Sequence, residues 1–142
     1  MVTMIFANLP VKDLSRSRAF YEGLGYSVNP QFSDENAACI VISDTIYAML
    51  LTEPFFKTFT KKEIADARRS TEVLLALSAD SRDEVNGLVD KAVAGGGHEA
   101  RDVQDEGFMY SRAFEDPDGH IWEVMWMDMA AFEAQQAAST SA

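Results

Sequence analysis

The sequence predicts an α+β fold in which a β-α-β-β-β unit occurs twice. A strand pattern, a helical pattern and three further strand patterns follow one another within residues 3–52, and the same order returns within 71–128. Glycines end the two helical patterns at corresponding places, Gly23-Leu24-Gly25 in the first unit and Gly95-Gly96-Gly97 in the second. An internal repeat with a period of about 65–70 residues therefore organises the chain. We expect one domain, 1–142, made of two modules with a connecting segment at 53–70 and a C-terminal tail at 129–142.

The first module begins with an apolar strand that Pro10 closes. Asp13 or Ser15 can cap the following helix, which continues to about Glu22 because its apolar residues recur at spacings of three and four. Turn residues then separate three short apolar segments. The predicted strands of this module are Thr3–Leu9, Tyr26–Phe32, Ala37–Ile42 and Thr45–Leu51.

The second module repeats this order after a connecting segment whose charged run, 61–69, we expect to form a surface helix. Asp80 or Ser81 can cap its helix, and the triple glycine ends it. Its predicted strands are Val73–Leu77, Glu99–Val103, Met109–Glu115 and Ile121–Met127.

Composition excludes several partners. Twelve basic and 23 acidic residues give a formal charge of −11, which disfavours nucleic acid and anionic membranes and would attract a cationic ligand. Cys39 is the only cysteine, so no disulfide can form within the chain. No apolar stretch approaches the ~20 residues that span a bilayer. We therefore expect a cytoplasmic protein without nucleic-acid or membrane partners.

One carboxylate stands inside a strongly apolar strand near the end of the chain. The tight turn Asp116-Pro117-Asp118-Gly119 leads into this last strand, and Glu123 lies at its third position. A buried carboxylate without a partner is costly, so Glu123 must meet a cation, a hydrogen-bond donor, water or a ligand. Glu123 is also the one candidate general base of the chain.

Three motifs together resemble a known family. They are Leu9-Pro10-Val11-Lys12-Asp13-Leu14, the segment Ser17-Arg18-Ala19-Phe20-Tyr21 with Leu24-Gly25-Tyr26, and Asp116-Pro117-Asp118-Gly119-His120-Ile121-Trp122-Glu123-Val124. Across Thr3–Met127 the chain resembles the vicinal oxygen chelate superfamily, which includes glyoxalase I, extradiol dioxygenases and bleomycin-resistance proteins. The resemblance implies that two modules form an eight-stranded, incompletely closed barrel around a ligand cavity, assembled as a homodimer.

The resemblance also implies four metal-ligand positions, one on the first and one on the last strand of each module. Glu123 matches the last of them. The other three fall on Phe6, Val73 and Ala48, with Glu72 and Met49 as one-residue alternatives to the last two. Because catalytic zinc needs about three protein ligands, we predict no metal cofactor, and a divalent metal belongs only to an alternative interpretation.

Alternation along the strands predicts the residues that line the cavity. If Glu123 faces it, so do Ile121 and Met125, and Phe6 and Asn8 line it from the first strand. The alternative is that these residues fill a core and that Glu123 pairs with an arginine, Arg112 or Arg101. By the repeat, Ile46, Ala48 and Leu50 are the cavity residues of the first module.

Two functions remain in view. The first is a metal-free small-molecule-binding protein, like the bleomycin-resistance group, which holds an apolar or cationic ligand in a cavity made or completed by the homodimer. The second is a divalent-metal enzyme, a glyoxalase-like lyase or dioxygenase that uses Glu123 with Glu72 or another ligand. A structural dimer with a filled barrel is a third possibility. The sequence leaves open whether the modules pair within one chain or are swapped between two.

Overall fold

The computed structural model describes residues 2–140, in which two separate β-sheets each carry a helix on one side. The first module supplies a four-stranded sheet with the strand order β1-β4-β3-β2. In it β1 and β4 are parallel, whereas the other neighbours are antiparallel. Its elements are β1 (Ile5–Val11), α1 (Leu14–Gly23), β2 (Ser27–Asn29), β3 (Ala37–Val41) and β4 (Ile46–Thr52).

The second module repeats the arrangement after a short helix, α2 (Glu53–Phe56). Its sheet has the order β5-β9-β8-β6, and β7 also pairs with β8. The first and last strands of the module are again parallel neighbours. The elements are β5 (Leu75–Ser78), α3 (Arg82–Ala94), β6 (His98–Glu99), β7 (Gln104–Asp105), β8 (Met109–Glu115) and β9 (Ile121–Met127), followed by α4 (Met129–Thr140).

This architecture confirms the predicted α+β fold with two β-α-β-β-β modules and unclosed sheets. The first strand continues through Pro10 to Val11 instead of ending before Pro10, and two other predicted strands differ more. Tyr26–Phe32 shortens to β2, because Asn29 caps a 3-10 turn that begins at Pro30. Glu99–Val103 is replaced by the two short strands β6 and β7, so the described residues form nine strands where eight were predicted.

The predicted surface helix in the connecting segment is wrong. A 3-10 turn ends at Phe59, and residues 60–74 then follow an irregular path. Asp66 accepts hydrogen bonds from the backbone N–H groups of Arg68 and Ser70, one through its carboxylate and one through its carbonyl. Such local bonds give the backbone an alternative to the helix. We call residues 60–74 the strap.

The two main helices begin where the sequence predicts. Asp13 accepts a hydrogen bond from the Arg16 N–H and caps α1, and Ser81 does the same for Glu84 in α3. The Glu84 carboxylate in turn accepts from the Asp80 N–H at 2.9 Å, which satisfies a further free donor at this helix end. None of the helices within residues 2–140 is long and apolar enough to cross a membrane.

One hydrophobic core runs under both modules on the helix side of the sheets. Leu9, Leu50 and Val124 reach it from the strands, and Val85 and Val89 reach it from α3. The opposite side of each sheet packs against neither α1 nor α3, and we call it the open face; in the first sheet α2 borders it through Phe56. Since side chains alternate along a strand, burial in this core identifies which residues point to the open face.

Buried polar groups join the two modules beneath the turn at 116–119. The Tyr21 hydroxyl of α1 donates to Asp116 Oδ2 at 2.6 Å and accepts from Trp122 Nε1 at 2.9 Å. Asp118 accepts from the Ser17 hydroxyl and from the Lys12 N–H, both at 3.0 Å. Burial raises the pKa of the Asp116 carboxyl and, together with that carboxylate, holds the pKa of Tyr21 well above its usual value. We call this network the clasp.

Replacing Tyr21 with Phe should lower the free energy of unfolding by about 1–3 kcal/mol, because Asp116 loses a donor and Trp122 loses an acceptor in a buried place. Urea unfolding at neutral pH measures the loss. Tyr26→Phe is the matched control, since the Tyr26 hydroxyl makes no hydrogen bond within residues 2–140. Equal stabilities of the two variants would show that the clasp contributes nothing.

Candidate functional site

Glu123 lies on the open face near the middle of β9. In register with it are Ala113 on β8 and Ala76 on β5. Both neighbours have short side chains; Ala76 is exposed, whereas Ala113 is fully buried. The Glu123 side chain is nevertheless only 27% exposed.

Arg101 is the cation nearest to this carboxylate. It extends from the loop between β6 and β7, and its Nη2 lies 3.8 Å from Glu123 Oε1. The same Nη2 donates a hydrogen bond to the Ser111 hydroxyl at 2.7 Å, and Nη1 donates to the carbonyl of Asp102 at 3.2 Å. Among residues 2–140, none donates a hydrogen bond to the Glu123 side chain. A mostly buried carboxylate is therefore left with unused acceptors.

The other arginine considered as a partner, Arg112, points to the helix side of the sheet. It donates to both oxygens of Glu99 at 2.9 and 3.1 Å, and to Asp90 at 3.0 Å. These hydrogen bonds raise the pKa of the Arg112 guanidinium. Arg112 therefore fixes α3 against the sheet, and of the two arginines only Arg101 can interact with Glu123.

Arg82 positions the loop that carries Arg101. Its guanidinium donates to the two oxygens of Asp105 at 2.8 and 2.9 Å and covers the rings of Tyr110 and Trp126. The hydrogen bonds from Arg82 lower the pKa of Asp105 from its ordinary 3.8 to about 2. This pairing holds β7 near α3, so the residues that precede β7 have a fixed path over Ser111.

Four of the residues predicted to bind a ligand lie on an open face, two on the sheet that carries Glu123 and two on the first sheet. Ile121 and Met125 flank Glu123 along β9. Phe6 and Asn8 lie on the open face of β1, where the Phe6 ring stacks on Tyr47 with 4.8 Å between centroids. Ligand binding by these residues stays a prediction.

The face predicted for the first module's last strand is wrong. Ala48 and Leu50 are 0% exposed and belong to the core on the helix side, and alternation places Ile46 on that same side. The residues of β4 that face the open side are Tyr47, Met49 and Leu51. Because β4 is apolar on both faces, its sequence gives no alternation from which to set the register.

The chain also contains a pocket that is partly open to solvent, but Glu123 does not line it. A cavity of about 290 Å³ lies between the strap and the neighbouring ends of β1, β5 and β9. Of the residues predicted to bind a ligand, Asn8 and Ile121 line it. Glu72 and Val73 of the strap line it as well. The sequence reasoning missed the strap's part in it, since residues 60–72 show neither helical nor strand periodicity.

The two histidines take separate places. His120 Nε2 lies 2.8 Å from the carbonyl of Pro10, and because a carbonyl only accepts, this nitrogen carries the proton. His98 begins β6 and is exposed. Neither histidine lies on β9 beside Glu123.

Comparison with known proteins agrees with this fold. Residues 3–43 match the family model described as bleomycin resistance protein-like N-terminal. A hypothetical protein from S. aureus is 25% identical with a TM-score of 0.74, and the match covers 89% of this chain and 94% of that one. A glyoxalase/bleomycin resistance protein/dioxygenase family enzyme from Burkholderia phytofirmans PsJN has a TM-score of 0.74 at 14% identity, covering 89% and 99%. The bleomycin resistance determinant encoded on the transposon Tn5 has a TM-score of 0.62 at 18% identity, covering 89% and 99%. No curated protein sequence matches the chain.

The chain therefore has the fold of these glyoxalase/bleomycin resistance proteins. Glu123 stands in register with Ala76, and its counterpart Met49 stands in register with Asn8. The residue of the first module that corresponds to Glu123 is therefore Met49, the one-residue alternative, and not Ala48. A thioether is a poor ligand for the hard divalent cations that carboxylates bind.

The residues around Glu123 do not fit the metal centre that the superfamily implies. The alternative ligand Glu72 lies before β5 begins and lines the strap cavity instead. Within residues 2–140 no group of three His, Cys, Asp or Glu side chains is placed to hold an ion. The Arg101 guanidinium, 3.8 Å from Glu123, has no acceptor atom and so cannot serve as a further metal ligand.

Replacing Arg82 with Met should return the pKa of Asp105 from about 2 towards 3.8. The Asp105 pairing contributes stability that is complete above the ordinary pKa of 3.8 and is lost as the pH falls towards 2, so the variant should lack this pH-dependent part. A carboxyl ¹³C NMR titration measures the pKa. Arg18→Met, which removes an exposed arginine paired with Glu22, should leave the Asp105 titration unchanged. An unchanged titration in the Arg82 variant would contradict the assigned cause.

Proposed function

We propose that the chain is a metal-free small-molecule-binding protein whose open face holds an apolar ligand with a cationic end against Glu123. One observation carries this proposal: the Glu123 carboxylate is mostly buried and yet accepts no hydrogen bond within residues 2–140. A carboxylate in that position gains most from a partner that brings both a positive charge and N–H donors. An ammonium or amidinium group meets both conditions.

The neighbours of Glu123 determine what else the ligand needs. The exposed Ala76 leaves the carboxylate accessible on the β5 side, and Ile121 and Met125 present apolar surface on the same strand. Small-molecule sites commonly combine a mainly apolar lining with a few polar groups. The net charge of −11 further favours a cation over an anion.

The apolar side chains around the open face support a homodimer as the state that binds. Phe6 is 44% exposed, and Met4, Val73 and Leu74 are exposed to a similar or greater extent. A second copy that covers this face would bury those side chains and close the site around Glu123. Sedimentation equilibrium should give the mass of two chains, and a single-chain mass at micromolar concentration would contradict the dimer.

The alternative function, a metal-dependent lyase or dioxygenase, needs further ligands beside Glu123. The alanines in register and the nearby Arg101 do not supply them. To act as a general base, the Glu123 carboxylate must lie within hydrogen-bond reach of a substrate proton. A bound cation would occupy that position.

The substitution Glu123→Gln keeps the shape of the side chain and removes its charge. It should weaken binding of benzylamine and benzamidine by about tenfold or more, while binding of the uncharged analogue benzyl alcohol changes little. Arg101→Met should have the opposite effect on the two cations, because it removes a competing positive charge. Protein-observed ¹H–¹⁵N NMR titration gives the affinities and maps the shifted residues.

Glu106→Gln provides the matched control, since it makes the same charge change at an exposed residue in the β7–β8 turn. Equal cation affinities in the Glu123 and Glu106 variants would overturn the proposal. So would a stoichiometric divalent ion that purified wild type retains and Glu123→Gln loses, because the metal-dependent alternative predicts that result.

A further inference from the structure

We propose that the cavity beneath the strap is a second ligand site, separate from Glu123, which takes a compact uncharged molecule that carries a hydrogen-bond donor. The cavity holds about 290 Å³, close to the lower end of the range for small-molecule sites. That volume suits a molecule of one or two aromatic rings. The inference does not depend on the binding of a cation at Glu123.

Both modules build the floor of this cavity. The end of β1 contributes Asn8 and Pro10, and the turn before β9 contributes Gly119 and His120. The strap forms the roof with Ile64 among other residues. His120 joins the two halves of the floor through its bond to the Pro10 carbonyl.

Close backbone contact fixes the strap at one side of the cavity. Gly119 has a φ of +95°, and a Cβ placed there would lie 2.8 Å from the carbonyl carbon and oxygen of Ala67 and from the nitrogen of Arg68. Only glycine allows this approach. Arg68 Nη2 also donates to the Pro117 carbonyl at 2.7 Å. The strap is thus held against the turn, and the space beside that contact stays covered.

The lining determines the chemistry of the occupant. Its charged residues, Lys62, Glu63 and Glu72, are all exposed, so no buried charge awaits a partner inside. A charged ligand would lose hydration there without compensation. Asn8 Nδ2 donates one of its two N–H groups to the Phe6 carbonyl, and its Oδ1 accepts no hydrogen bond within residues 2–140. A ligand with an O–H or N–H donor and no net charge therefore fits this site best.

The cavity is distinct from the site at Glu123. Glu123, Arg101 and Met125 do not line it. Ile121 borders both spaces, because it lies on the Glu123 side of β9 at the end nearest the strap. Substitutions in the strap should therefore change one site and leave the other intact.

The test is an NMR titration of wild type and strap variants with indole and 2-naphthol, beside the charged analogues tryptamine and indole-3-acetate. We expect saturable binding of the uncharged probes, with shifts confined to residues 60–75, 8–10 and 119–121. Ile64→Trp should fill the cavity and weaken this binding by about tenfold or more. Val73→Trp fills the same space from another lining position and serves if the first variant does not fold.

Lys61→Trp is the matched control, because it adds the same side chain to the strap at an exposed residue outside the lining. It should keep wild-type affinity for indole, as should Glu123→Gln. Unchanged indole binding in a folded cavity-filling variant would overturn the proposal. Shifts confined to the Glu123 face, or no saturation by either uncharged probe at millimolar concentration, would overturn it as well. If the wild-type protein binds indole but not benzylamine, that result would instead count against the function proposed for Glu123.

Discussion

The clasp under the turn at 116–119 is the constraint on which the arrangement of the modules depends. It places two carboxylates, Asp116 and Asp118, where water is excluded, and each is satisfied by donors from residues that precede or belong to α1. Breaking one such bond leaves a buried polar group without a partner, which costs more than the bond itself contributes. The modules therefore have one relative position in which all these groups are paired. That position brings the ends of β1, β5 and β9 together under the strap.

This changes the meaning of the motif at Asp116–Val124. Most of its polar side chains serve structure: Asp116 and Asp118 form the clasp, and His120 bonds to the Pro10 carbonyl. Glu123 alone accepts no hydrogen bond within residues 2–140, although its carboxylate lies 3.8 Å from the Arg101 guanidinium. Within one motif, the carboxylate with unused acceptors is the one we propose for ligand binding.

The fold could be predicted from the sequence because its signals are local. Asp13 and Ser81 cap helices, glycines end them, and the repeat doubles each observation. The register of β4 could not be predicted, since Tyr47, Ala48 and Met49 differ little in polarity and either face could be buried. The contact between Arg101 and Glu123 and the strap cavity depend on the paths of irregular segments. Hydrophobic periodicity does not predict such paths. Pairing of Glu123 with an arginine was foreseeable as one of two alternatives, but only the path of the β6–β7 loop decides between Arg101 and Arg112.

The sequence distance that the clasp spans also bears on how the chain reaches its fold. The bond from the Lys12 N–H to Asp118 joins residues 106 positions apart, and the one from Tyr21 to Asp116 joins residues 95 apart. Closing such long loops costs entropy before the contact can contribute stability, and proteins rich in these contacts fold slowly. A clasp that closes after the transition state would act mainly on the unfolding rate, so its carboxylates would govern how long a folded molecule survives more than how fast it forms.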